Sequence, residues 1–407
     1  MNSFFMNSIR LTDARFSTGS NQPDRMPRVV IDLEKLRHIN CGLGRFSLYL
    51  AQELLARSDN CFEPVFFLPD GCDHYFAGPP NAKYSSIKVR PWNKERFQRW
   101  VRPMGRHFNK AHRPALWHVT HQTSKYLPFD ERVPIILTVH DLNFLHTMNP
   151  DSQSGQIRRH RTHVQRLVNR ADTIVTDSQF VADDLARCIN VSSKPIHVVP
   201  LGLARPAAGD GDRPSWVPEG PFLFSIGNFL PHKNFHTLLG MMQHMPHYKL
   251  IIAGKKETSY GEKVIRERNT MGLTNRIILP GVISDLERQW LYKNCDAFVF
   301  PSLTEGFGFP VLEAMQVGKP VALSNCTSLP EIAGDSGFYF PSYDAQQMAD
   351  TVLNAVAKYR DDPQAATQSH ERANSFSWQA TAQEYARIYK TVLERLPEHK
   401  NSGLFPC

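Results

Sequence analysis

Short apolar runs that alternate with helical patterns constrain the fold of this 407-residue chain more than any other feature of its sequence. Most of these runs are apolar throughout, and each has the length of a strand. Near-continuous apolar strands between helices are typical of parallel sheets covered on both faces. The pattern therefore predicts an α/β fold. The predicted strands are Val29–Leu33, Pro64–Leu68, Ile87–Arg90, Leu116–Val119, Ile135–His140, Thr173–Thr176, Ile196–Val199, Phe222–Ile226, Lys249–Ala253, Arg276–Leu279, Ala297–Phe300, Pro320–Leu323 and Phe338–Phe340.

A segment at 204–220, rich in Ala, Gly, Pro and Asp and without periodicity, separates two sets of these strands and indicates a linker. We predict two doubly wound, Rossmann-like domains that face each other. Ligands of such sheets bind outside the carboxyl ends of the strands, so the working cleft is expected between the domains. The predicted divisions are a loose extension at 1–27, the first domain at 28–203, the linker at 204–220, the second domain at 221–375, a closing helix at 376–395 and a loose tail at 396–407.

Composition excludes several classes of protein. No apolar run approaches 18 residues, which argues against a transmembrane helix, and the first 27 residues lack the apolar core of a secretion signal. The seven cysteines form no Cys-x-x-Cys pair, which fits a reduced protein and argues against a disulfide framework or a structural zinc site. We therefore expect a cytoplasmic protein.

Positive charge is concentrated in two places within a net charge of +8. Arg90–Arg113 holds eight Lys and Arg against one acid, with aromatic residues between them, and Gln156–Arg170 holds five Arg and no acid. No nucleic-acid-binding module is recognisable, so we expect no nucleic acid as partner. Basic residues beside aromatic ones suit an anionic membrane surface, and a solvated basic face is the alternative.

The loop and helix within Asp296–Met315 carry the most specific chemistry. A predicted strand ends near Pro301, and a helix is expected to begin near Pro310 because proline suits the first helical position. Glu305 falls in the glycine-rich turn between them and Glu313 in the predicted first turn. Two carboxylates beside a helix N-terminus suit a ligand with hydroxyl groups at both ends and an anion between. Taken singly, the alternatives are a solvated loop acid for Glu305 and a glutamate favoured by the helix dipole for Glu313.

This segment, PSLTEGFGFPVLEAM followed by GKPVALSNCTSLPEIAG, resembles the E-x7-E signature of family 4 glycosyltransferases, and the resemblance extends over residues 28–395. It implies the GT-B fold, retention of anomeric configuration and a nucleotide-diphosphate sugar as donor. Glu305 would then face the donor hexose and Glu313 the nucleotide ribose. Backbone contacts to hexose and phosphate are implied for Phe307, Gly308 and Phe309.

A second loop places Lys233 where a helix is predicted to begin near Asn234, and a cation is disfavoured there unless an anion binds. A solvated lysine is the alternative. The segment Phe222–Leu239 resembles the family's G-x-x-x-x-K-N loop, whose lysine binds the donor diphosphate. Asn228 occupies a position where many members carry arginine, so diphosphate binding would depend more on Lys233.

Glycines in the first half precede a helix predicted at Phe46–Leu55. Gly42 and Gly44, with Arg45, resemble the family's G-x-G-R loop, which lies under the donor phosphates and near the acceptor. We assign the glycines to the donor and Arg45 to the acceptor side. A plain glycine turn at the start of a helix is the alternative.

Histidines end two predicted strands. His140 and Asp141 match the family's strand-His-Asp element, in which the histidine lies near the transferred hexose and can hydrogen-bond to it. His140 thus joins Glu305 and Lys233 as a catalytic candidate. His118, His121 and Asp141 are assigned to the acceptor side.

The resemblance implies a retaining hexosyltransferase that uses GDP-mannose or a UDP-sugar in the assembly of a surface polysaccharide or lipopolysaccharide. The acceptor would be a glycan or a lipid-linked glycan. No metal or other cofactor is expected, because the D-x-D at 210–212 lies in the linker with no strand before it. Two alternatives are a sugar-nucleotide epimerase or hydrolase of the same fold and a non-catalytic assembly subunit.

Overall fold

The protein is described by a computed structural model. The structure describes residues 26–39, 41–57, 59–76, 84–101, 114–147, 150–203, 209 and 211–395. The predicted terminal extension, apart from its last two residues, and the predicted tail lie outside this part of the chain. So do Asp210 and all of residues 102–113, the second half of the basic segment Arg90–Arg113.

The first sheet has seven parallel strands in the order β3-β2-β1-β4-β5-β6-β7. β1 and β4 pair at the centre, with Val30 opposite Trp117. The strands β4, β5 and β6 are buried along their whole length, as their apolar sequences require. The bounds are β1 Arg28–Asp32, β2 Glu63–Leu68, β3 Ser85–Lys88, β4 Leu116–Val119, β5 Ile135–Val139, β6 Thr173–Thr176 and β7 Ile196–Val198.

The second sheet has six parallel strands in the order β10-β9-β8-β11-β12-β13. Together with the first sheet it confirms the predicted α/β fold of two parallel sheets with helices. The bounds are β8 Phe222–Ile226, β9 Lys249–Ala253, β10 Ile277–Gly281, β11 Ala297–Phe300, β12 Val321–Ser324 and β13 Gly337–Phe340.

Helices cover both sheets and connect the parallel strands. None of those in the described ranges combines the length and apolarity needed to cross a membrane. Their bounds are α1 Gly42–Ala56, α2 Glu95–Val101, α3 Asn143–Thr147, α4 Pro150–Arg170, α5 Gln179–Cys188, α6 His236–Gln243, α7 Ser259–Thr270, α8 Asp285–Asn294, α9 Phe309–Gln316, α10 Leu329–Ala333, α11 Ala345–Asp361, α12 Pro363–Asn374 and α13 Trp378–Glu394.

The last described helix, α13, returns from the second sheet to the first. Its aromatic residues fall on one face, and Tyr385 and Tyr389 are fully buried. The Tyr385 hydroxyl lies 2.9 Å from Thr138 Oγ1 on β5, and the Tyr389 hydroxyl lies 2.7 Å from His118 Nδ1 on β4. Buried phenols need such partners, so these contacts fix the helix on the first sheet.

Candidate active site

The loop before α9 is in direct contact with the first domain. A β-carbon on Gly306 would lie 1.8 Å from the backbone oxygen of His140, so only glycine fits there. Ser178 Oγ donates to the Gly306 oxygen at 2.8 Å, and Thr304 Oγ1 lies 2.8 Å from Asn143 Oδ1. The carboxyl edges of the two sheets therefore meet at this loop, where a ligand cleft is expected.

Glu305 and Lys233 form a part-buried ion pair in this cleft. Lys233 Nζ lies 2.5 Å from Glu305 Oε1, which also accepts a hydrogen bond from Ser302 Oγ at 2.5 Å. The ammonium also lies 5.0 Å from the centre of the Phe300 ring. The two side chains are 14% and 12% exposed, so both remain accessible to a ligand.

The backbone around Lys233 differs from the prediction. Pro231–Lys233 forms a 3-10 turn, Asn234 adopts a left-handed conformation with φ 55°, and α6 begins only at His236. Lys233 therefore does not stand at the N-terminus of α6, and its charge is balanced by Glu305 instead. The predicted conflict between Lys233 and the helix dipole was therefore wrong. The structure does bring Lys233 and Glu305, two of the candidate residues, into contact. Asn228 is exposed.

Glu313 lies at the centre of a cluster of charges that spans both domains. Its Oε1 lies 2.9 Å from Arg45 Nη1 on α1, and its Oε2 lies 3.6 Å from Arg288 Nε on α8. Asp285 pairs with the same two arginines, at 3.3 Å from Arg45 and 2.7 Å from Arg288. Glu313 is the fifth residue of α9, after the first turn, which corrects the predicted position.

This cluster places Arg45 against Glu313, the acid predicted to bind the nucleotide ribose, and the assignment of Arg45 to the acceptor side stays a prediction. Arg288 and Asp285 were not among the predicted site residues. Both lie on one amphipathic helix where charged residues are ordinary, so no sequence signal distinguishes them.

The first glycine loop is already helical. α1 begins at Gly42, four residues before the predicted start. A β-carbon on Gly44 would lie 2.3 Å from the His38 oxygen, which explains the glycine as a packing requirement. At Gly42 a β-carbon would lie 3.8 Å from the Phe309 ring, so the N-terminal ends of α1 and α9 meet across the cleft. Gly308 caps α9 with φ 115°, and Phe307 is buried.

His140 is buried between the cleft and a polar network that the sequence did not reveal. Its Nδ1 lies 2.5 Å from Asp177 Oδ2, its Nε2 lies 2.8 Å from the Thr120 oxygen, and Phe46 packs edge-on against the ring. Burial alone would lower the pKa of His140, but the Asp177 carboxylate outweighs it and the pKa is raised. With acceptors on both sides, the ring nitrogens are already bonded within the protein. A hydrogen bond from the ring to a hexose would require one of these contacts to break.

The other residues assigned to the acceptor side, His118, His121 and Asp141, lie in different surroundings. His118 is completely buried, bonded to Thr138 and Tyr389, and burial lowers its pKa to about 3. It is therefore a neutral structural residue beneath α13, and its acceptor-side assignment was wrong. His121 lies at the carboxyl edge of the sheet, and Asp141 accepts from the Asn143 backbone at 3.0 Å.

Two family models match the two halves of the chain. The model "Glycosyltransferase Family 4" matches residues 41–204, and "Glycosyl transferases group 1" matches residues 212–372. The chain belongs to glycosyltransferase family 4. The family predicted from the loop at Glu305 is thus confirmed, and so is the assignment of the protein as a glycosyltransferase enzyme.

Individual relatives and structures agree with this membership. The chain is 26% identical over 298 residues to O-antigen chain mannosyltransferase B of Escherichia coli, a match that covers 68% of this chain and 74% of that one. It is 30% identical over 271 residues to the serotype-specific mannosyltransferase WbdA of Escherichia coli, covering 61% of this chain but 32% of WbdA. The structure of Anabaena HepE with UDP and glucose superposes with a TM-score of 0.66 at 18% identity, over 90% of this chain and 100% of HepE. That similarity supports the two-domain GT-B fold.

Proposed function

We propose that this family 4 glycosyltransferase moves a mannosyl group, with retention of configuration, from a nucleotide-diphosphate sugar to a glycan or lipid-linked glycan. The observation that carries the proposal is the arrangement of Lys233, Glu305 and Glu313 on one wall of the cleft, where each is ion-paired and Lys233 and Glu305 are part-exposed. The names of the relatives support mannose and O-antigen or lipopolysaccharide assembly. The structures of HepE with UDP and with UDP-glucose support a nucleotide-sugar donor.

The ion pairs suggest how a donor is accommodated. Lys233 turns from Glu305 to the diphosphate and stabilises the charge that develops there as the leaving group departs, an effect worth several kcal/mol. Glu305 is then free to accept hydrogen bonds from the hexose hydroxyls. Glu313 retains its arginine partners and accepts from the ribose, because an ionised carboxylate has about four lone-pair sites. With no enzymic nucleophile assigned, the leaving phosphate takes the proton of the acceptor hydroxyl.

The donor is tested by thermal unfolding with GDP-mannose, UDP-glucose, UDP-N-acetylglucosamine and the bare nucleotides. A ligand at 100 times its Kd adds about 2.7 kcal/mol to the free energy of unfolding. We expect GDP-mannose to raise the Tm most. The mannosyl proposal fails if a UDP-sugar stabilises and is transferred instead. If the sugar is released without any acceptor dependence, the protein is a hydrolase or epimerase.

We further propose that transfer needs no metal ion. Among the residues the structure describes, no group of three or more His, Cys, Asp or Glu side chains is arranged to hold one. In this proposal the Lys233 ammonium supplies the positive charge that the diphosphate needs. We therefore expect the rate in EDTA to stay within about twofold of the untreated rate. Loss of activity in EDTA that Mg²⁺ or Mn²⁺ restores would contradict this mechanism.

A basic and aromatic surface of the first domain supports peripheral docking on an anionic membrane. Trp92 and Phe97 are each 37% exposed, and the basic residues beside them are exposed as well. The helix α4 lies next to this surface, because His163 Nδ1 on α4 is 3.8 Å from Glu95 Oε2 on α2. The exposed basic residues of this surface, which we call the basic face, are Arg90, Lys94, Arg96, Arg99, Arg158, Arg159, Arg161 and Arg166.

Reversing two charges of the basic face is expected to weaken binding to anionic vesicles. Each basic residue near such a surface contributes about 1 kcal/mol, so Arg158→Glu/Arg161→Glu should lower the partition coefficient at least tenfold at low salt. The matched control is Lys263→Glu/Arg266→Glu, which changes the charge equally on exposed residues of α7 in the second domain. Co-sedimentation with anionic and neutral vesicles measures the effect. Equal binding of both variants would leave the basic face as an ordinary solvated surface.

A further inference from the structure

The N-terminal end of α5 lies against the second domain, although α5 belongs to the first. The turn at 177–180 leads into this helix and touches two parts of the site. Asp177 Oδ2 lies 2.5 Å from Nδ1 of the His140 ring, and Ser178 Oγ donates to the Gly306 oxygen at 2.8 Å. Asp177 and Ser178 are each 2% exposed. The position of this turn therefore bears on both the cleft histidine and the loop before α9.

The first N–H groups of a helix have no partner within the helix and need acceptors from elsewhere. At α5 the N-cap residue, Ser178, meets only part of this need. Its Oγ accepts from Val181 N at 3.3 Å, and its backbone oxygen accepts from Ala182 N at 3.2 Å. The N–H groups of Gln179 and Phe180 therefore need another acceptor.

Glu331, on α10 of the second domain, accepts from both of these N–H groups. Its Oε2 accepts from Gln179 N at 2.8 Å, and its Oε1 accepts from Phe180 N at 2.7 Å. The carboxylate also places negative charge at the positive end of the helix dipole. Because Glu331 lies 152 positions after Gln179 in the chain, this cap joins α5 to the other domain.

Arg372 on α12 fixes the backbone that carries Glu331. Its Nη2 donates to the Glu331 backbone oxygen at 2.5 Å, and its Nε donates to the Ile332 oxygen at 3.0 Å. The guanidinium itself lies 4.9 Å from the centre of the Phe376 ring. These hydrogen bonds engage backbone oxygens of α10, so the Glu331 carboxylate is held at its base while its oxygens bond to α5.

The Glu331 cap differs from an ordinary surface ion pair, although Glu331 is exposed. Exposed ion pairs contribute little because two long side chains must be ordered to form them. Here the donors are backbone N–H groups that the helix already holds in place, so only one side chain is ordered. Hydrogen bonds to an ionised acceptor are also stronger than neutral ones. The cap can therefore hold the two domains together at this point.

We propose that Glu331 is a positioning residue for glycosyl transfer. By capping α5 it fixes the turn at 177–180, and that turn holds His140 and the Gly306 loop in their positions across the cleft. The proposal rests on the proposed function and adds to it a residue that sets the geometry between the two walls. Glu331 is not among the donor-binding candidates, so its loss should act on turnover and not on donor binding.

Glu331→Ala is expected to lower turnover about tenfold, because losing hydrogen bonds to a charged group lets the reacting groups shift out of position. The Kd of the donor, measured by calorimetry with GDP-mannose, should stay within about twofold, and the Tm should be retained. Glu331→Gln keeps one acceptor oxygen and should recover part of the turnover. Asp335→Ala, which removes an exposed acid from the segment after α10, is the control.

Gln179→Pro removes one of the two hydrogen bonds without removing the helix. Gln179 is the first residue of α5, where proline is tolerated, and Ser178 before it is extended at φ −147° and ψ 161°, as a residue before proline prefers. This substitution should lower turnover about threefold when Glu331 is present and have no further effect in Glu331→Ala. Gln179→Ala, which keeps the N–H, is the matched control. Equal losses in both backgrounds would overturn the proposal.

Hydrogen exchange of peptides that cover residues 178–183 reports the cap without any transfer reaction. We expect faster exchange in Glu331→Ala than in the wild type. Unchanged exchange, or turnover within twofold of the wild type, would overturn the proposal. A loss of donor affinity and of Tm in step with turnover would overturn it too, since Glu331 would then only stabilise the second domain. Failure of the proposed function would appear differently, as a wild type that binds no nucleotide sugar while the exchange difference remains.

Discussion

Glu305→Ala is expected to reduce turnover by about 10²–10³ while leaving donor affinity nearly unchanged, the loss typical of one electrostatic contact made in the transition state. Glu305 is held by Lys233 Nζ and Ser302 Oγ, each at 2.5 Å. In the proposed complex the same carboxylate orients the hexose. Its removal frees Lys233 for the diphosphate, so ground-state binding is preserved and the loss falls on the chemical step.

Steady-state kinetics and donor titration separate these effects. Glu305→Gln is the conservative control, because it keeps the shape and one acceptor oxygen and should recover part of the turnover. Glu313→Ala provides the contrast, since removing the acid from between Arg45 and Arg288 should mainly weaken nucleotide binding. If the Glu305→Ala variant retains near-normal turnover, the assignment of the reacting end of the cleft is wrong.

The site thus contains two acids that are each paired with a cation. Glu305 is paired within the second domain, whereas Glu313 takes one partner, Arg45, from the first. A donor that contacts both acids must rearrange the first pair and can retain the second. The pair at Glu313 is therefore the one that can link donor binding to the relative position of the domains.

The parts of the fold that sequence predicts well are those with a local cause. Apolar runs such as Phe222–Ile226 and Lys249–Ala253 form strands with those bounds. A strand in a sheet that is covered on both faces buries the side chains on both of its sides, so consecutive apolar residues indicate such a strand. The spacing of Glu305 and Glu313 likewise lies within one loop and one helix, so local pattern and family resemblance were sufficient to single them out.

The parts that sequence could not predict depend on long-range contacts. Arg45 lies 268 positions from Glu313 in the chain, and Asp177 lies 37 from His140, so no local pattern links them. His118 looked like a residue of the cleft because it falls near the end of a predicted strand. Its neighbour Tyr389, 271 positions away, makes it a core residue instead.

Gly306→Ala is expected to lower turnover by about 10²-fold without loss of nucleotide affinity, although it adds a single methyl group. That methyl carbon would lie 1.8 Å from the His140 backbone oxygen and 3.1 Å from Asp141 Cβ. A backbone carbonyl cannot rotate out of the way as a side chain can, so the loop must move from the first domain by more than 1 Å. A displacement of that size near reacting groups costs about 10²-fold in rate.

Gly306→Ala should affect nucleotide binding and glycosyl transfer differently. Lys233, Glu305 and Glu313 all belong to the second domain, so nucleotide binding measured by calorimetry should survive, whereas transfer, which needs both domains, should not. Gly155→Ala is the matched control, because that glycine lies in α4 with no heavy atom within 4 Å of an added β-carbon. Small-angle scattering should show a larger radius of gyration for Gly306→Ala alone. Full activity in that variant would mean that the domain contact at His140 is not part of the reactive state.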